Sequence, residues 1–211
     1  MTARPEAAEH FEDLDQQAHA ARLGLWVFLA SEVLLFGGLF ALFASYRAHF
    51  PTAFREAVLH NTKVLGSINT GVLLVSSTIV AWSVHVLRAG RLRLAAWLVG
   101  ATMALGAVFI AIKLSEYAKH FDEGIYPAGA GRFFAEHGVR GFSEFWTLYY
   151  AMTGLHAIHV TVGVAVLGTL LAQLVRGTIV PQAAYRLELG ATYWHLVDVI
   201  WIFLWPLFYL A

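Results

Sequence analysis

The sequence predicts an all-α membrane protein, a polytopic bundle of five transmembrane helices. Its 211 residues are 59% hydrophobic and only 13% charged, whereas a soluble domain carries about 25% charged residues. The mean hydropathy is +0.63. Five continuous apolar runs are long enough for a helix to cross a bilayer, which takes about 20 residues. Strands of a membrane barrel would be about half as long and would alternate polar and apolar residues, so helices are predicted.

Composition also excludes several classes of function. Lys plus Arg and Asp plus Glu both number 14, so the formal net charge is zero and nucleic acid is not an expected partner. The absence of cysteine excludes disulfides and thiolate metal sites. In the membrane class that remains, polar residues within the apolar runs are the first candidates for function.

The predicted organisation is a polar N-terminal tail over residues 1–22 and a transmembrane domain over 23–211. The tail is rich in acidic residues, unlike the basic start of a signal peptide, and is interpreted either as a helical extension or as a solvated end. The predicted spans are 23–46, 65–87, 94–117, 145–175 and 191–210.

Basic and aromatic residues predict how the spans cross the membrane. The short turn 88–93 contains three arginines, and short loops dense in positive charge stay on the cytoplasmic side. The N-terminus and the 176–190 connection are therefore expected inside, and the C-terminus outside with the 47–64 and 118–144 connections. Tryptophans near the span ends predict an interfacial belt; they are Trp26, Trp146, Trp194 and Trp205.

Glu32 interrupts the first apolar run, about nine residues from its start and roughly 14 Å along a helix. Desolvation favours the protonated carboxyl unless a partner or water stabilises the anion. Glu32 is therefore interpreted either as a group that takes part in proton transfer or as a neutral acid hydrogen-bonded to a neighbouring helix. Gly37 and Gly38 follow within two turns and predict the close approach of another helix.

Polar residues on the second and third spans are interpreted as packing features. Lys113 and Glu116 lie three residues apart on one face of the third span, which predicts an ion pair near its outer end, with snorkelling to the interface as the alternative. A polar face on the second span is typical of helix–helix contact. Its members are Ser67, Asn69, Thr70, Ser76, Ser77, Thr78 and His85.

Two further pairs share the spacing that places side chains on one helix face. His156 and His159 lie on the fourth span, and His195 and Asp198 lie on the fifth. Two histidines on one turn cannot both be axial ligands of one haem, and a non-haem metal site built from these four residues is an alternative. Hydrogen bonds to neighbouring groups are favoured instead, and His195 is predicted to pair with Asp198 and so lock the last helix.

The spans carry five motifs in a fixed order, and together these resemble subunit III of the haem-copper oxidases, the cytochrome c oxidase type in particular. The resemblance runs from about Leu23 to the C-terminus. The motifs are "ASEVLLFGGLF" (30–40), "NTGVLLVSSTIVAWSVH" (69–85), "SEY" (115–117), "TGLHAIHVTVG" (153–163) and "YWHLVDVIWIFL" (193–204).

This resemblance implies a non-catalytic core subunit of a proton-pumping respiratory oxidase in the bacterial inner membrane. In such oxidases the haems and copper lie on subunits I and II, so no redox centre is expected on this chain. Subunit III packs on subunit I, binds phospholipid in a cleft, and supports proton uptake and enzyme durability in aerobic electron transport. The implied partners are subunits I and II, a small subunit IV, phospholipid and a larger respiratory assembly.

The resemblance also assigns site residues. The family's buried, proton-linked carboxylate matches Glu32, and no catalytic or metal-ligating residue is expected. Arg176 and Arg186 are interpreted as a pocket for lipid head groups or as ordinary inside anchors. The remaining positions of the polar motif, structural or lipid-linked, are Asn69, His85, Glu116, His156, His159, His195 and Asp198.

The sequence departs from the family pattern in three places. Many members have seven helices, whereas this chain begins at the equivalent of the third, so the lipid cleft must be open or completed by another subunit. Val84-His85 stands where many relatives have two histidines. The 118–144 connection is long, which suggests a docking place for a partner.

Several alternatives stay open at this point. The nearest are subunit III of a quinol oxidase and the subunit-III-like partner of nitric oxide reductase. A stand-alone transporter centred on Glu32 and a b-type cytochrome belong to other classes, and the inverted repeats or broken helices typical of transporters are not found in this sequence. The tripeptides Ser31-Glu32-Val33 and Tyr193-Trp194-His195 favour the cytochrome c type.

Overall fold

A computed structural model describes residues 10–129, 131–136 and 140–210. Within these ranges all regular structure is helical and no strand occurs, which confirms the predicted fold class. Two 3₁₀ turns, Pro127–Gly129 and Pro181–Ala183, lie in connections between helices. The helices are α1 (Leu14–His49), α2 (Pro51–Val58), α3 (Lys63–Arg88), α4 (Leu92–Asp122), α5 (Arg132–Glu136), α6 (Phe142–Val175) and α7 (Tyr185–Tyr209).

Five of these helices are long and apolar enough to cross a bilayer, namely α1, α3, α4, α6 and α7. Each contains or overlaps one of the five predicted spans, so the number and order of the spans are confirmed. α1 begins before the apolar run because Asp13 caps it: the Asp13 carboxylate accepts a hydrogen bond from the Gln16 backbone N–H at 2.7 Å. Which end of the bundle faces the cytoplasm stays a prediction.

Four helices form a closed ring, and the fifth lies outside it. α3 packs on α4, α4 on α6, α6 on α7 and α7 on α3. The pairs α3–α4 and α6–α7 are joined by short connections and run antiparallel. α1 lies against α6 and α7. The first helix in the sequence is therefore held by the last two.

α1 contacts the ring through one narrow seam. Its buried residues Leu29, Phe36 and Phe43 recur every seven positions. The half-buried Leu25, Glu32 and Leu39 each lie four residues before one of them. This alternation of three and four residues is the pattern of a helix that packs along a single stripe. Glu32 occupies a seam position, so its carboxyl faces the bundle while most of the surrounding apolar side chains face outward.

Trp194 is the central packing residue of the ring. Its indole lies between Gly106 of α4 and Gly163 of α6, where an added Cβ would come within 2.7 and 2.8 Å of ring atoms. The indole N–H donates to the Ser76 hydroxyl of α3 at 3.0 Å. One side chain of α7 thus contacts all three other ring helices. The predicted interfacial role is wrong for Trp194, and also for Trp146, because both are fully buried.

The glycines that permit close packing are not the ones predicted. Gly37 and Gly38 face open space, since a Cβ at either position would meet no atom within 4 Å. The expected close approach of a helix to this pair is therefore wrong for the part of the chain that the structure describes. Among the described helical glycines, an added Cβ would come within 3 Å of a neighbouring side chain at Gly66, Gly106, Gly163 and Gly190. The neighbour is Tyr209 at Gly66, Trp194 at Gly106 and Gly163, and Leu170 at Gly190, and not another helix backbone.

Polar contacts tie the helices together at both ends of the bundle. At the end that contains the 88–93 turn, Glu188 of α7 lies 3.4 Å from Arg22 of α1 and 3.0 Å from Arg88 of α3. At the opposite end the amide N–H of Asn61 donates to the Phe208 carbonyl at 2.8 Å. The described part of the 118–144 connection packs on α6, and the Tyr150 hydroxyl donates to the Ile125 carbonyl at 2.9 Å.

Candidate functional site

Glu32 and His159 form a direct pair between α1 and α6. Glu32 Oε2 lies 2.8 Å from His159 Nε2, and the two side chains are 13% and 14% exposed. The imidazole also packs edge-on against the Phe36 ring, with centroids 5.5 Å apart. The neighbouring-helix partner expected for Glu32 is thus a titratable histidine at the rim of the bundle.

The geometry fixes how many protons this pair holds. His159 Nδ1 lies 2.8 Å from the Leu155 carbonyl oxygen, which can only accept, so Nδ1 carries a hydrogen. Nε2 then either accepts from a protonated Glu32 or donates, as imidazolium, to the carboxylate. A bare carboxylate facing a bare Nε2 at 2.8 Å would set two lone pairs against each other. Both favourable arrangements keep one shared proton between the two atoms and leave the pair neutral overall.

A hydrogen bond from α7 holds the backbone of His159 in place. The Tyr193 hydroxyl of α7 donates to the His159 carbonyl oxygen at 3.1 Å, which ties the pair to a third helix. Phe28 of α1 packs against the Tyr193 ring, with centroids 6.1 Å apart. The proton-sharing pair is therefore fixed from α1, α6 and α7 together.

His195 and Asp198 do not form the predicted pair. His195 Nδ1 lies 2.7 Å from the Ser77 hydroxyl of α3. Asp198 is buried beside Ser77, but neither carboxyl oxygen has a hydrogen bond of good geometry. The reason is that the ring of His195 turns toward α3 and not along its own helix. His195 therefore joins α7 to α3 through Ser77, and the locking of α7 stays a prediction.

The polar face predicted on the second span does make helix–helix contacts. Ser76 and Ser77 bind α7, and the Thr70 hydroxyl accepts from the Trp201 indole N–H at 3.1 Å. The Asn69 amide donates to the Phe109 carbonyl of α4 at 3.4 Å. Two of the seven residues, Ser67 and Thr78, instead bond to carbonyls of their own helix.

His156 belongs to the interior of the ring. It is fully buried, and its Nε2 lies 3.1 Å from the Val197 carbonyl oxygen. Phe109 and Trp201 pack against the imidazole, with centroids 5.4 and 5.0 Å away. His156 and His159 therefore face different partners, and the described residues contain no group of three or more His, Asp or Glu arranged to hold a metal ion.

Lys113 and Glu116 form the predicted ion pair, but in the core and not at the interface. Lys113 Nζ lies 3.1 Å from Glu116 Oε2, and both side chains are 2% exposed. The ammonium also donates to the hydroxyls of Tyr149 and Tyr209, at 2.8 and 2.9 Å. The Tyr209 hydroxyl in turn donates to the Glu116 carboxylate at 2.8 Å. All three ammonium protons have acceptors, so the snorkelling alternative is wrong.

Sequence reasoning missed the aromatic half of this cluster. Tyr149 and Tyr209 come from α6 and α7, 36 and 96 residues away from Lys113. Nζ also lies 4.6 Å from the centre of the Tyr149 ring and 5.6 Å from that of Trp201, within the range of cation–π attraction. A run of aromatic residues near the start of α6 was the available signal, but only the fold shows which ring meets the ammonium.

Three predicted residues lie apart from these clusters. His85 is exposed in the last turn of α3, and Arg176 is exposed at the end of α6. Arg186, at the start of α7, is half-buried, with its Nε 3.5 Å from the Tyr185 hydroxyl. Their roles in lipid contact stay predictions.

Comparison with known proteins identifies the family profile and the relatives that the chain matches. The family profile described as "Cytochrome c oxidase subunit III" matches residues 9–211. "Quinol oxidase subunit 3" of Bacillus spizizenii is 30% identical over 212 residues, 97% of each chain, and so is that of Bacillus subtilis. "Probable quinol oxidase subunit 3" of Staphylococcus haemolyticus is 28% identical over 200 residues, 93% of each chain.

These matches span all five membrane helices and both halves of the Glu32–His159 pair. They agree with the resemblance carried by the five sequence motifs. With bacterial relatives and five helices able to cross a bilayer, the chain is an integral bacterial membrane protein. It belongs to the subunit III family of the haem-copper oxidases and is a subunit of an oxidoreductase complex.

Proposed function

We propose that this chain is a non-catalytic core subunit of a proton-pumping respiratory oxidase, which packs on subunit I and helps to keep proton uptake fast. The observation that carries the proposal is the Glu32–His159 pair, which holds one proton between two titratable atoms 2.8 Å apart. Such a pair can pass its proton between Glu32 Oε2 and His159 Nε2 without changing its net charge, so it can hold a proton in lipid as a neutral unit. Family membership favours this role over a stand-alone transporter or a b-type cytochrome.

The haems and copper of the complex are proposed to lie on subunits I and II. The proposed partners of this chain are the same two subunits, a small subunit IV and a larger respiratory assembly. The lipid- or partner-facing surface offers wide apolar area for such contacts. On α1 alone, Leu34 is 77% exposed and Trp26 is 64% exposed. The three motif histidines, His156, His159 and His195, are engaged with a backbone carbonyl, Glu32 and Ser77 respectively, which suits a supporting role.

Phospholipid is proposed to bind beside Glu32. An apolar groove of about 630 Å³ runs between α1 and α7, and its α1 wall includes Leu29 and Val33, which flank Glu32 in sequence. His195 is the one titratable residue among the described lining. An acyl chain in this groove would exclude water from the pair on that side and so keep the shared proton from leaking away. Arg186, at the start of α7, is the proposed head-group contact for this groove.

The electron donor separates two versions of the proposal. The Ser31-Glu32-Val33 and Tyr193-Trp194-His195 motifs carry the proposal of a cytochrome c oxidase. The three relatives described above are named quinol oxidase subunit 3 or probable quinol oxidase subunit 3, which favours a quinol oxidase as the second candidate. Oxygen consumption by the purified complex with reduced cytochrome c, and then with a soluble quinol, decides between the two. A reduced-minus-oxidised spectrum of the same sample identifies its haems.

The proton-linked role is tested with Glu32→Gln in the assembled complex. The glutamine amide can still donate to His159 Nε2, so assembly and the haem spectrum should be retained, but the exchangeable proton is lost. Proton uptake during turnover should slow without stopping, and activity should decay sooner over repeated turnovers. Glu123→Gln, at an exposed carboxylate beyond the end of α4, is the matched control.

Two results would contradict the proposal. Complete loss of oxygen reduction in a fully assembled Glu32→Gln complex would mean that the chain is not auxiliary. Proton uptake and durability equal to those of the Glu123→Gln control would make Glu32 a structural residue only.

A further inference from the structure

A second groove, on a different side of the bundle, lies between α4 and α6. It has a volume of about 740 Å³ and is lined on α4 by residues from Leu92 to Ala104, and on α6 by Leu171, Leu174 and Val175. The α4 residues that face the groove are mostly small, so their side chains leave its volume open. A Cβ added at Gly100 would meet only Leu171, at 3.9 Å.

The mouth of this groove is basic. Arg93 lines it, and Arg93 and Leu92 also line an open depression of about 430 Å³ formed by the turn residues Gly90 to Leu94. The groove and the depression are therefore continuous. Arg91 belongs to the depression, and Arg176 directly follows the lining residue Val175.

The arginines at the mouth are available for a ligand. Arg88, in the same turn, is engaged with Glu188 at 3.0 Å. In contrast, the exposed Arg91, Arg93 and Arg176 form no ion pair with any residue in the described ranges. Unpaired guanidinium groups beside an apolar groove complement a molecule with an anionic head and an apolar chain. A guanidinium group binds phosphate through bidentate hydrogen bonds.

The length of the groove indicates what kind of chain it holds. From Arg93 to Ala104 a helix rises about 16 Å, which is close to one leaflet of a hydrocarbon core roughly 30 Å thick. A transmembrane helix of a partner would need a contact seam through both leaflets. Trp97, 79% exposed at one edge of the groove, lies one turn below Arg93, at the level where tryptophan meets the head groups.

From these observations we infer that the α4–α6 groove is a binding site for an anionic phospholipid, with the phosphate at Arg91, Arg93 and Arg176 and one acyl chain along the small residues of α4. This site is separate from the α1–α7 groove. It depends on the membrane location of the chain and on the groove itself, and not on the proton-linked role of Glu32, so either proposal can fail alone.

The test uses the intact oxidase complex in mild detergent with phosphatidylglycerol that carries a photoactivatable diazirine in its acyl chain. Illumination should attach the lipid to peptides that contain residues 96–104 or 171–175. With Arg93→Gln and Arg176→Gln combined, binding should weaken roughly 30-fold. Ala101→Phe, which fills the groove from an exposed position, should abolish the labelling, whereas Ala107→Phe, exposed beyond the groove, should leave it unchanged.

Three outcomes would overturn the inference. One is equal labelling by photoactivatable phosphatidylcholine, and another is labelling that persists in the paired arginine variant, whose positions are exposed and do not burden folding. The third comes from Ala101→Cys, which gives this chain a single thiol because it has no other cysteine. A benzophenone attached to that thiol should react with lipid, and reaction with another polypeptide would make the groove a subunit interface instead.

Discussion

Removing the charge of Glu116 alone should destabilise this protein more than removing both charges of its ion pair. Glu116→Gln leaves the Lys113 ammonium 2% exposed with no anion beside it. The hydroxyls of Tyr149 and Tyr209 still accept from the ammonium, but they cannot balance its charge. Lys113→Met, a near match in length and apolar, removes that charge when combined with Glu116→Gln.

The magnitude follows from the burial of the pair. Breaking a buried ion pair from one side costs about 3–5 kcal/mol, whereas replacing both partners with neutral side chains is often neutral or stabilising. For a chain of this size each kcal/mol lowers the melting temperature by about 2–4 °C. Glu116→Gln alone should therefore lower it by roughly 6–20 °C. The double variant should return close to the parent, since the glutamine oxygen still accepts from Tyr209.

The assay is thermal unfolding of the purified complex in mild detergent, and the quantity measured is the melting temperature of this chain. The matched control is Glu123→Gln, which removes the partner of Lys119 at 3.9 Å in a pair whose side chains are 55% and 40% exposed. An exposed pair contributes under about 1 kcal/mol. The reasoning is refuted if Glu116→Gln is as mild as this control, or if the double variant is less stable than Glu116→Gln alone.

The remaining predictions concern three other contacts. Trp194→Phe should lose the hydrogen bond to Ser76 and leave a void between Gly106 and Gly163. It should lower the free energy of unfolding by about 2–4 kcal/mol in the same assay. A loss below about 1 kcal/mol would mean that the smaller ring repacks without a void. Glu32→Leu should cost about 1–3 kcal/mol because His159 Nε2 loses its partner, whereas Glu32→Gln should cost less; equal losses would show that the hydrogen bond contributes nothing. Glu188→Gln should lower the melting temperature at low salt and have little effect at 1 M salt, because both arginine contacts are half-exposed and screened; an effect independent of salt would contradict this account.

The five helices could be predicted because length and hydropathy are local properties of the sequence. The Lys113–Glu116 pair could also be predicted, since residues three apart on a helix are neighbours in any fold. Its depth could not, because burial depends on Tyr149 and Tyr209, which belong to other helices. Local spacing was misleading for His195 and Asp198: they share a face, but Ser77 of α3 offers a better-placed partner for the imidazole.

The Glu32–His159 contact lay outside the reach of local reasoning. The two residues were singled out separately, and only the packing of α1 against α6 joins them. The position of Trp194 failed for a similar reason. Its place near a span end suggested the interface, but Gly106 and Gly163 open a slot for it in the core. Glycine in a helix permits close packing, but the sequence does not say whether a ring, a backbone or open space lies beside it.

The seam that holds α1 to the last two helices has a consequence for biogenesis. Glu32 emerges from the ribosome 127 residues before His159, which at a translation rate of about 5–20 residues per second is a wait of roughly 6–25 s. During that interval α1 has neither α6 nor α7 to pack on, and its carboxyl enters the membrane without its histidine. The newborn helix must therefore be inserted with the carboxyl protonated or be held by the insertion machinery. Completion of α7, and not of α1, is the step that commits the chain to its final assembly.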